Sequence, residues 1–235
     1  MLRTTSEGES IVMYKLSPSD FAYLYEECKF CYCLKIKKGI VRPSMPMPGV
    51  FSALNTRLQG SLVGKELREL SLVLPEGIVE SQEGFVESKA IPGMKVFIKG
   101  KYDLLVRQPD NTYLIVDFKI SQPSEDKILK YQTQLQAYHY AFEHPAQGEP
   151  KTITKMGLIL MYPDQVKFEN GRAVLDFPPQ WMEIPIDEQA FLRFMGEVNI
   201  LLEGPTPPEN PQCKWCQYRH LGETLAHPQT DDIPF

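Results

Sequence analysis

Two C-x-x-C pairs, Cys28-Lys29-Phe30-Cys31 and Cys213-Lys214-Trp215-Cys216, stand near opposite ends of the 235-residue chain. Each C-x-x-C turn presents two sulfurs to one ion, and four thiolates complete a tetrahedral site. A shared ion would require the fold to bring the two ends of the chain together. The alternative is four buried, inert cysteines, because free cysteine often packs as a small apolar residue. Two pairs with only Cys33 left over favour the metal site. An odd number of cysteines, clustered at the two ends, argues against a secreted disulfide framework.

The length suits one domain with a sizeable core, with room for small appendages. The chain is 43% hydrophobic and 23% charged, as an ordinary globular protein is. A formal net charge of -5 means that any contact with phosphates must come from a local basic patch. Lys35, Lys37 and Lys38 could form one, although a solvated helix end is the commoner explanation of such a run. The opening MLRTTSEGES lacks the apolar stretch of a signal peptide, and nothing later approaches a membrane span. The expectation is a cytoplasmic protein with no membrane partner.

Leu16-Ser17-Pro18-Ser19-Asp20 predicts a helix start, with a hydroxyl cap, an early proline and an acid in the first turn, running on to Cys28. Residues 43–49 form a proline-rich connector, and Leu54 to Leu72 is expected to include another helix. Val96 to Val106 and Tyr113 to Ile120 read as strands of an antiparallel hairpin around the Gln108-Pro109-Asp110-Asn111 turn. Lys127 to Glu143 reads as a helix burying Leu129, Leu135, Tyr138 and Phe142. Ile153 to Tyr162 predicts a central strand, Val166–Phe168 and Ala173–Leu175 a hairpin closed by Gly171, and Trp181 to Ile186 a further strand. Asp187 caps a helix to about Leu202, and Gly204-Pro205-Thr206-Pro207-Pro208 is a linker.

Alternation along a strand points Asp117 and Lys119 to one face and Phe118 to the other, toward the core. Asp103, across the hairpin, can bring its carboxylate to the same place. Two hard oxygen ligands suit Mg²⁺ or Mn²⁺, with Lys119 beside them to orient a nucleophile or stabilise charge. On its own, Asp-x-Lys is more often a solvent-facing ion pair. The Gly100-x-x-Asp103 strand before it, and Gln134 and Tyr138 one helical turn apart after it, make the set specific.

In that order, Gly100-Lys101-Tyr102-Asp103, Asp117-Phe118-Lys119 and Gln134-Leu135-Gln136-Ala137-Tyr138 resemble the G-x-x-D, D-x-K and Q-L-x-x-Y motifs of the PD-(D/E)XK nuclease superfamily, in its RecB-like and CRISPR-associated exonuclease branch. The resemblance implies an α/β fold with a restriction-endonuclease-like core, a central mixed sheet flanked by helices, and ends joined by a cysteine metal site. It implies that Asp103 and Asp117 hold Mg²⁺ or Mn²⁺, that Lys119 is the catalytic lysine, and that Gln134 and Tyr138 position the DNA backbone or the lysine. It also implies a DNA exonuclease of repair, recombination or replication. Many members carry an upstream histidine in a Gly-x-x-Val-His setting; here Gly60-Ser61-Leu62-Val63-Gly64 ends in glycine, with Glu66 or Glu69 as possible substitutes. Some RecB-like nucleases hold a [4Fe–4S] cluster on one N-terminal and three C-terminal cysteines. The two-plus-two arrangement of Cys28, Cys31, Cys213 and Cys216 departs from this and leaves [4Fe–4S] and Zn²⁺ both open.

The chain ends Thr230-Asp231-Asp232-Ile233-Pro234-Phe235, which resembles the terminal tip of bacterial single-stranded-DNA-binding proteins. Phe235 with its carboxylate suits an apolar pocket rimmed by Lys or Arg, so Asp231, Asp232, Ile233, Pro234 and Phe235 are candidate contacts for proteins that recognise such tips. The alternative is an acidic tail whose ending coincides by chance. The resulting division is a nuclease-like domain over 1–203 with a cysteine helix at 16–39, a linker and cysteine module over 204–222 packing on the N-terminal cysteines, and an acidic tail over 223–235. His139 reads as a surface or packing residue, His144, His220 and His227 lack ligand spacing, and Trp181 and Trp215 read as packing residues. The competing function is a catalytically weak nuclease-fold adaptor that binds DNA and recruits repair or replication proteins through the terminal peptide.

Overall fold

The computed structural model describes residues 2–4, 10–43, 48–60 and 62–226. Within these, β1 (Leu2–Thr4) and β2 (Ser10–Val12) pair antiparallel, and β3 (Tyr14–Leu16) leads into α1 (Pro18–Asp20). α1 continues as a π-helical turn, Phe21–Tyr25. The single helix expected from Ser17 onward is interrupted: Cys28 is extended (φ -161°, ψ 104°) and caps a new helix, α2 (Lys29–Lys38). α3 (Gly49–Gln59) begins before the predicted Leu54 and stops at Gly60; among the described residues of that stretch a 3₁₀ turn, Leu67–Glu69, follows.

β4 (Ile78–Gln82) and β5 (Phe85–Ala90), both unforeseen, precede β6 (Val96–Lys101) and β7 (Leu104–Arg107). The predicted strand over 96–106 is therefore two strands in two sheets. The break falls at Tyr102-Asp103, and the β4–β5 segment follows it in register, with the Tyr102 N–H donating to Gly84 O and the Glu83 N–H to Asp103 O between the Phe85–Lys101 and Gln82–Leu104 pairs. β8 (Tyr113–Ile120), α4 (Asp126–Glu143), β9 (Ile153–Met161), β10 (Gln165–Glu169), β11 (Arg172–Asp176), β12 (Pro179–Glu183), α5 (Glu188–Glu203) and α6 (Lys214–Ala226) complete the order. β12 starts two residues earlier than the expected Trp181 and ends before Ile186. The β7–β8 and β10–β11 hairpins form as predicted. Asn111 at the first turn takes the left-handed conformation (φ 62°) that asparagine tolerates.

The main sheet runs β12-β9-β8-β7-β4, with β8 and β9 parallel and the other neighbours antiparallel. A smaller sheet, β3-β6-β5, lies alongside. Strand alternation divides the core in two. Leu104, Val106, Leu114, Val116, Phe118 and Ile159 pack on one side with Leu62, Leu67 and Leu74. Leu105, Ile115, Leu158 and Leu160 face the other side, where α4, α5, the π-helical turn and α2 supply Leu135, Tyr138, Phe142, Met195, Phe21 and Tyr32. The molecule is thus a mixed α/β fold with a central mixed sheet flanked by helices, and no described helix is long and apolar enough to cross a membrane. Both faces being core corrects the expectation that only Phe118 points inward. Leu129, expected to be buried, is exposed on the outer face of α4.

Candidate active site and cysteine cluster

Asp117 sits midway along β8 on the face covered by α4, and its carboxylate is buried. Its Oδ1 accepts a hydrogen bond from Gln134 Nε2 at 3.2 Å, and its Oδ2 forms an ion pair with Lys119 Nζ. Asp103 stands at the break between β6 and β7, where its Oδ2 accepts the Phe118 backbone N–H at 2.7 Å. The strand break thus supplies Asp103, and the backbone of β8 aims it. Tyr138 hydroxyl donates to Lys101 O, tying α4 to the end of β6. Gly100 permits this approach: a Cβ there would lie 2.5 Å from Pro18 Cδ and 3.2 Å from Tyr138 Cε1.

These groups open onto one cavity of about 460 Å³, lined also by Lys15, Ser17, Lys99 and Lys101. Burial pushes the Asp117 carboxyl up to about 7, with Asp103 raising it further and Lys119 pulling against both. Burial also opposes the charge on Lys119, but Asp117 and Asp103 outweigh it and hold the ammonium above its ordinary range. Two carboxylates against one ammonium leave the cluster short of positive charge, and Gln134 Oε1 is buried with no hydrogen-bond partner among the described residues. Hard oxygens with a charge deficit fit a hard divalent cation. Asp103 and Asp117 would hold it.

The sequence brought Asp103, Asp117, Lys119, Gln134 and Tyr138 to notice, and the fold brings all five together. It does not bring Glu66 or Glu69 there. Those two close a capping box on the 3₁₀ turn, and Glu66 Oε1 also accepts the Gly77 N–H at 2.7 Å. Gly64 is a turn residue (φ +83°) whose N–H donates to Val79 O. The proposed basic run is committed elsewhere: Lys35 Nζ pairs with Asp20 at 2.6 Å, and Lys37 Nζ donates to Gly204 O. The lysines at the cavity are instead Lys15, Lys99 and Lys101, of which Lys99 and Lys101 pair with Glu87 and Glu83. Their i, i+2 spacing on β6 was a readable signal. Tyr131 was also missed; its ring lies 5.0 Å from Lys119 Nζ and its hydroxyl 2.7 Å from that of Tyr23. His139 is buried as a packing residue, with Nε2 3.6 Å from Glu143 Oε1.

The family model of the PD-(D/E)XK nuclease superfamily matches residues 43–221. The chain belongs to the PD-(D/E)XK nuclease superfamily. Members of this superfamily are usually metal-dependent hydrolases acting on nucleic acid, which agrees with the donor set at the cavity. Among solved structures, one titled "Crystal structure of SSO0001" is similar over 88% of this chain and 84% of its own, at 17% identity and a TM-score of 0.45. A search of curated proteins found no match.

The second cluster lies apart from the cavity. Cys28, Cys31, Cys213 and Cys216 are all buried, and their sulfurs lie within 4.8 Å of one another. α2 carries the first pair at its start and α6 the second. Leu24, Phe30 and Trp215 pack around them. Arg42 Nη2 donates to Cys213 Sγ at 3.0 Å, and Arg42 Nη1 pairs with Glu27 at 2.8 Å. Cys33 belongs to the main core instead. The four thiols form a set suited to a metal, and the two ends of the chain meet there.

Proposed function

We propose that this protein is a Mg²⁺- or Mn²⁺-dependent deoxyribonuclease of RecB-like type, an exonuclease working on single strands or duplex ends in repair, recombination or replication. The observation that carries the proposal is the meeting of Asp103, Asp117, Lys119 and Gln134 at one cavity, charge-deficient inside and rimmed by lysines. A divalent ion, when bound by the two carboxylates, acidifies a water and shields phosphate charge. Asp117 holds the Lys119 ammonium beside that position, where it orients the attacking water and stabilises developing charge. Gln134 fixes Asp117, and Tyr138 keeps α4 seated on β6. Phe85 lines this cavity and the adjacent one containing Tyr102 and Lys151, and is 74% exposed. An exposed aromatic beside the lysines offers a stacking surface to an unpaired base, which supports a single-stranded end as substrate.

The test is cleavage of labelled single- and double-stranded DNA in Mn²⁺ by the wild type, Lys119→Ala and Asp117→Ala. Cleavage by the wild type with losses of about 10² or more in both variants is the expected result. Absence of cleavage in all three refutes the enzyme and leaves the adaptor reading, which Gly64 and the engaged Glu66 and Glu69 favour. The terminal tip, Asp231 to Phe235, lies outside the described residues. On the proposal it docks on proteins that recognise the tail of single-stranded-DNA-binding proteins. Deleting residues 233–235 is then expected to weaken that binding and leave cleavage of naked DNA unchanged.

A further inference from the structure

The spacing of the four sulfurs bears on what they hold. Cys28 and Cys216 Sγ are 3.9 Å apart, Cys31 and Cys213 also 3.9 Å, and Cys31 and Cys216 3.7 Å. These three separations all cross from α2 to α6, so they measure the gap between the two C-x-x-C pairs. One tetrahedral ion with sulfur ligands at about 2.3 Å sets neighbouring sulfurs about 3.8 Å apart. A [4Fe–4S] cube places a separate iron behind each thiolate, so its ligand sulfurs stand on the outside of eight atoms and much further apart. In a two-iron cluster only the two thiolates on the same iron share the close spacing. The space enclosed by these sulfurs does not fit the [4Fe–4S] cluster, one of the two groups that the sequence left open.

We infer that Cys28, Cys31, Cys213 and Cys216 hold a single zinc ion, which rivets α6 to α2 and so joins the two ends of the chain. Four protein thiolates leave no open position for water or substrate, the arrangement of a structural rather than a catalytic zinc. Zinc outranks ferrous iron in intrinsic affinity for such a site and has no redox chemistry to perturb it. Four thiolates and one Zn²⁺ carry excess negative charge, and Arg42 stands against Cys213 to offset it. Glu27 holds the other end of that guanidinium, and Asn210 Nδ2 donates to Glu27 O at 2.8 Å, so the support for the site is itself braced across the two ends. Arg42 is a positioning residue here, acting through the sulfur. The inference is independent of nuclease activity, since none of these residues lines the Asp103–Asp117 cavity.

The test uses the full chain, purified without oxygen and free of affinity tags from cells grown with iron and zinc both present. The expected result is about one zinc per chain by elemental analysis, with no iron and no acid-labile sulfide. Iron with sulfide, or a single iron without it, overturns the inference. So does an apo preparation that takes up neither zinc nor cobalt, or takes up cobalt without the d–d bands of a tetrahedral thiolate site. Arg42→Gln retains all four ligands and is expected to weaken zinc binding about 10- to 100-fold in chelator competition; unchanged affinity removes Arg42 from the assignment. Stripping the zinc from the wild type is expected to lower Tm and open residues 204–212 to protease. An unchanged Tm and cleavage pattern overturns the rivet.

Discussion

Gly100 concentrates the residue-scale logic of the site. It is the first position of the G-x-x-D motif, yet it binds nothing; it leaves room for Pro18 and the Tyr138 ring. Gly100→Ala must push both away, and overpacking of this kind costs about 1–3 kcal/mol. The urea midpoint is expected to fall accordingly, with cleavage falling further because α4 carries Gln134. A variant of wild-type stability would show that α1 and α4 yield more easily than their packing indicates. Individual residues were legible to very different degrees. Asp117 and Lys119 could be placed on one face because strand alternation is strict. That their ion pair is buried rather than solvent-facing could not be read, since it depends on α4 lying across that face. Leu129 was misjudged for a related reason: the stripe of α4 that meets the sheet includes Leu135, Tyr138 and Phe142, and leaves Leu129 turned outward.

At the scale of elements, α4 is the part whose burial has a readable pH consequence. Burial lowers the pKa of His139 below its ordinary value, against the opposing pull of Glu143 and Glu188. The folded protein therefore holds this imidazole neutral where the unfolded chain would protonate it. The stabilisation is complete above the unfolded value of about 6.5 and is lost as pH falls below it. His139→Gln, which cannot gain that proton, is expected to lose less stability between pH 7 and pH 5 than the wild type in urea titrations. Equal losses would mean that carboxylates alone set the acid limb. α4, β8, β9 and α5 were legible from their residue content and hydrophobic pattern, and α5 from its cap as well: Asp187 Oδ1 accepts the Ala190 N–H at 2.8 Å. The division of residues 96–107 between β6 and β7 was hidden because Tyr102 and Leu104 to Val106 continue the apolar pattern. Only the pairing of β6 with β3 and β5, and of β7 with β4 and β8, reveals that the chain changes sheets at Asp103.

Taken whole, the molecule carries a formal charge of -5 and yet is proposed to bind a polyanion. The closing of the ends was implied by the two cysteine pairs, but of the basic rim only the Lys99–Lys101 spacing was readable, because Lys15 comes from β3 and meets β6 only in the folded sheet. Long-range attraction is absent, so affinity for DNA must rest on the few lysines at the cavity and on stacking at Phe85. Each phosphate neutralised on a single strand contributes a slope of about -0.7 to the dependence of log affinity on log salt. Lys99 and Lys101 must leave Glu87 and Glu83 to take phosphates, so the expected loss between 50 and 200 mM salt runs from about threefold with Lys15 alone engaged to about twentyfold with all three, in fluorescence anisotropy with Ca²⁺ to hold cleavage off. Lys15→Gln is expected to make that slope shallower by about 0.7 and to weaken all sequences alike. Phe85→Ala separates the two contributions: it is expected to weaken single-strand binding by about 1–3 kcal/mol with the slope unchanged, because a stacked base releases no counterion. A slope that steepens well beyond this range, or one that Lys15→Gln leaves unaltered, would place the DNA on another surface of the protein.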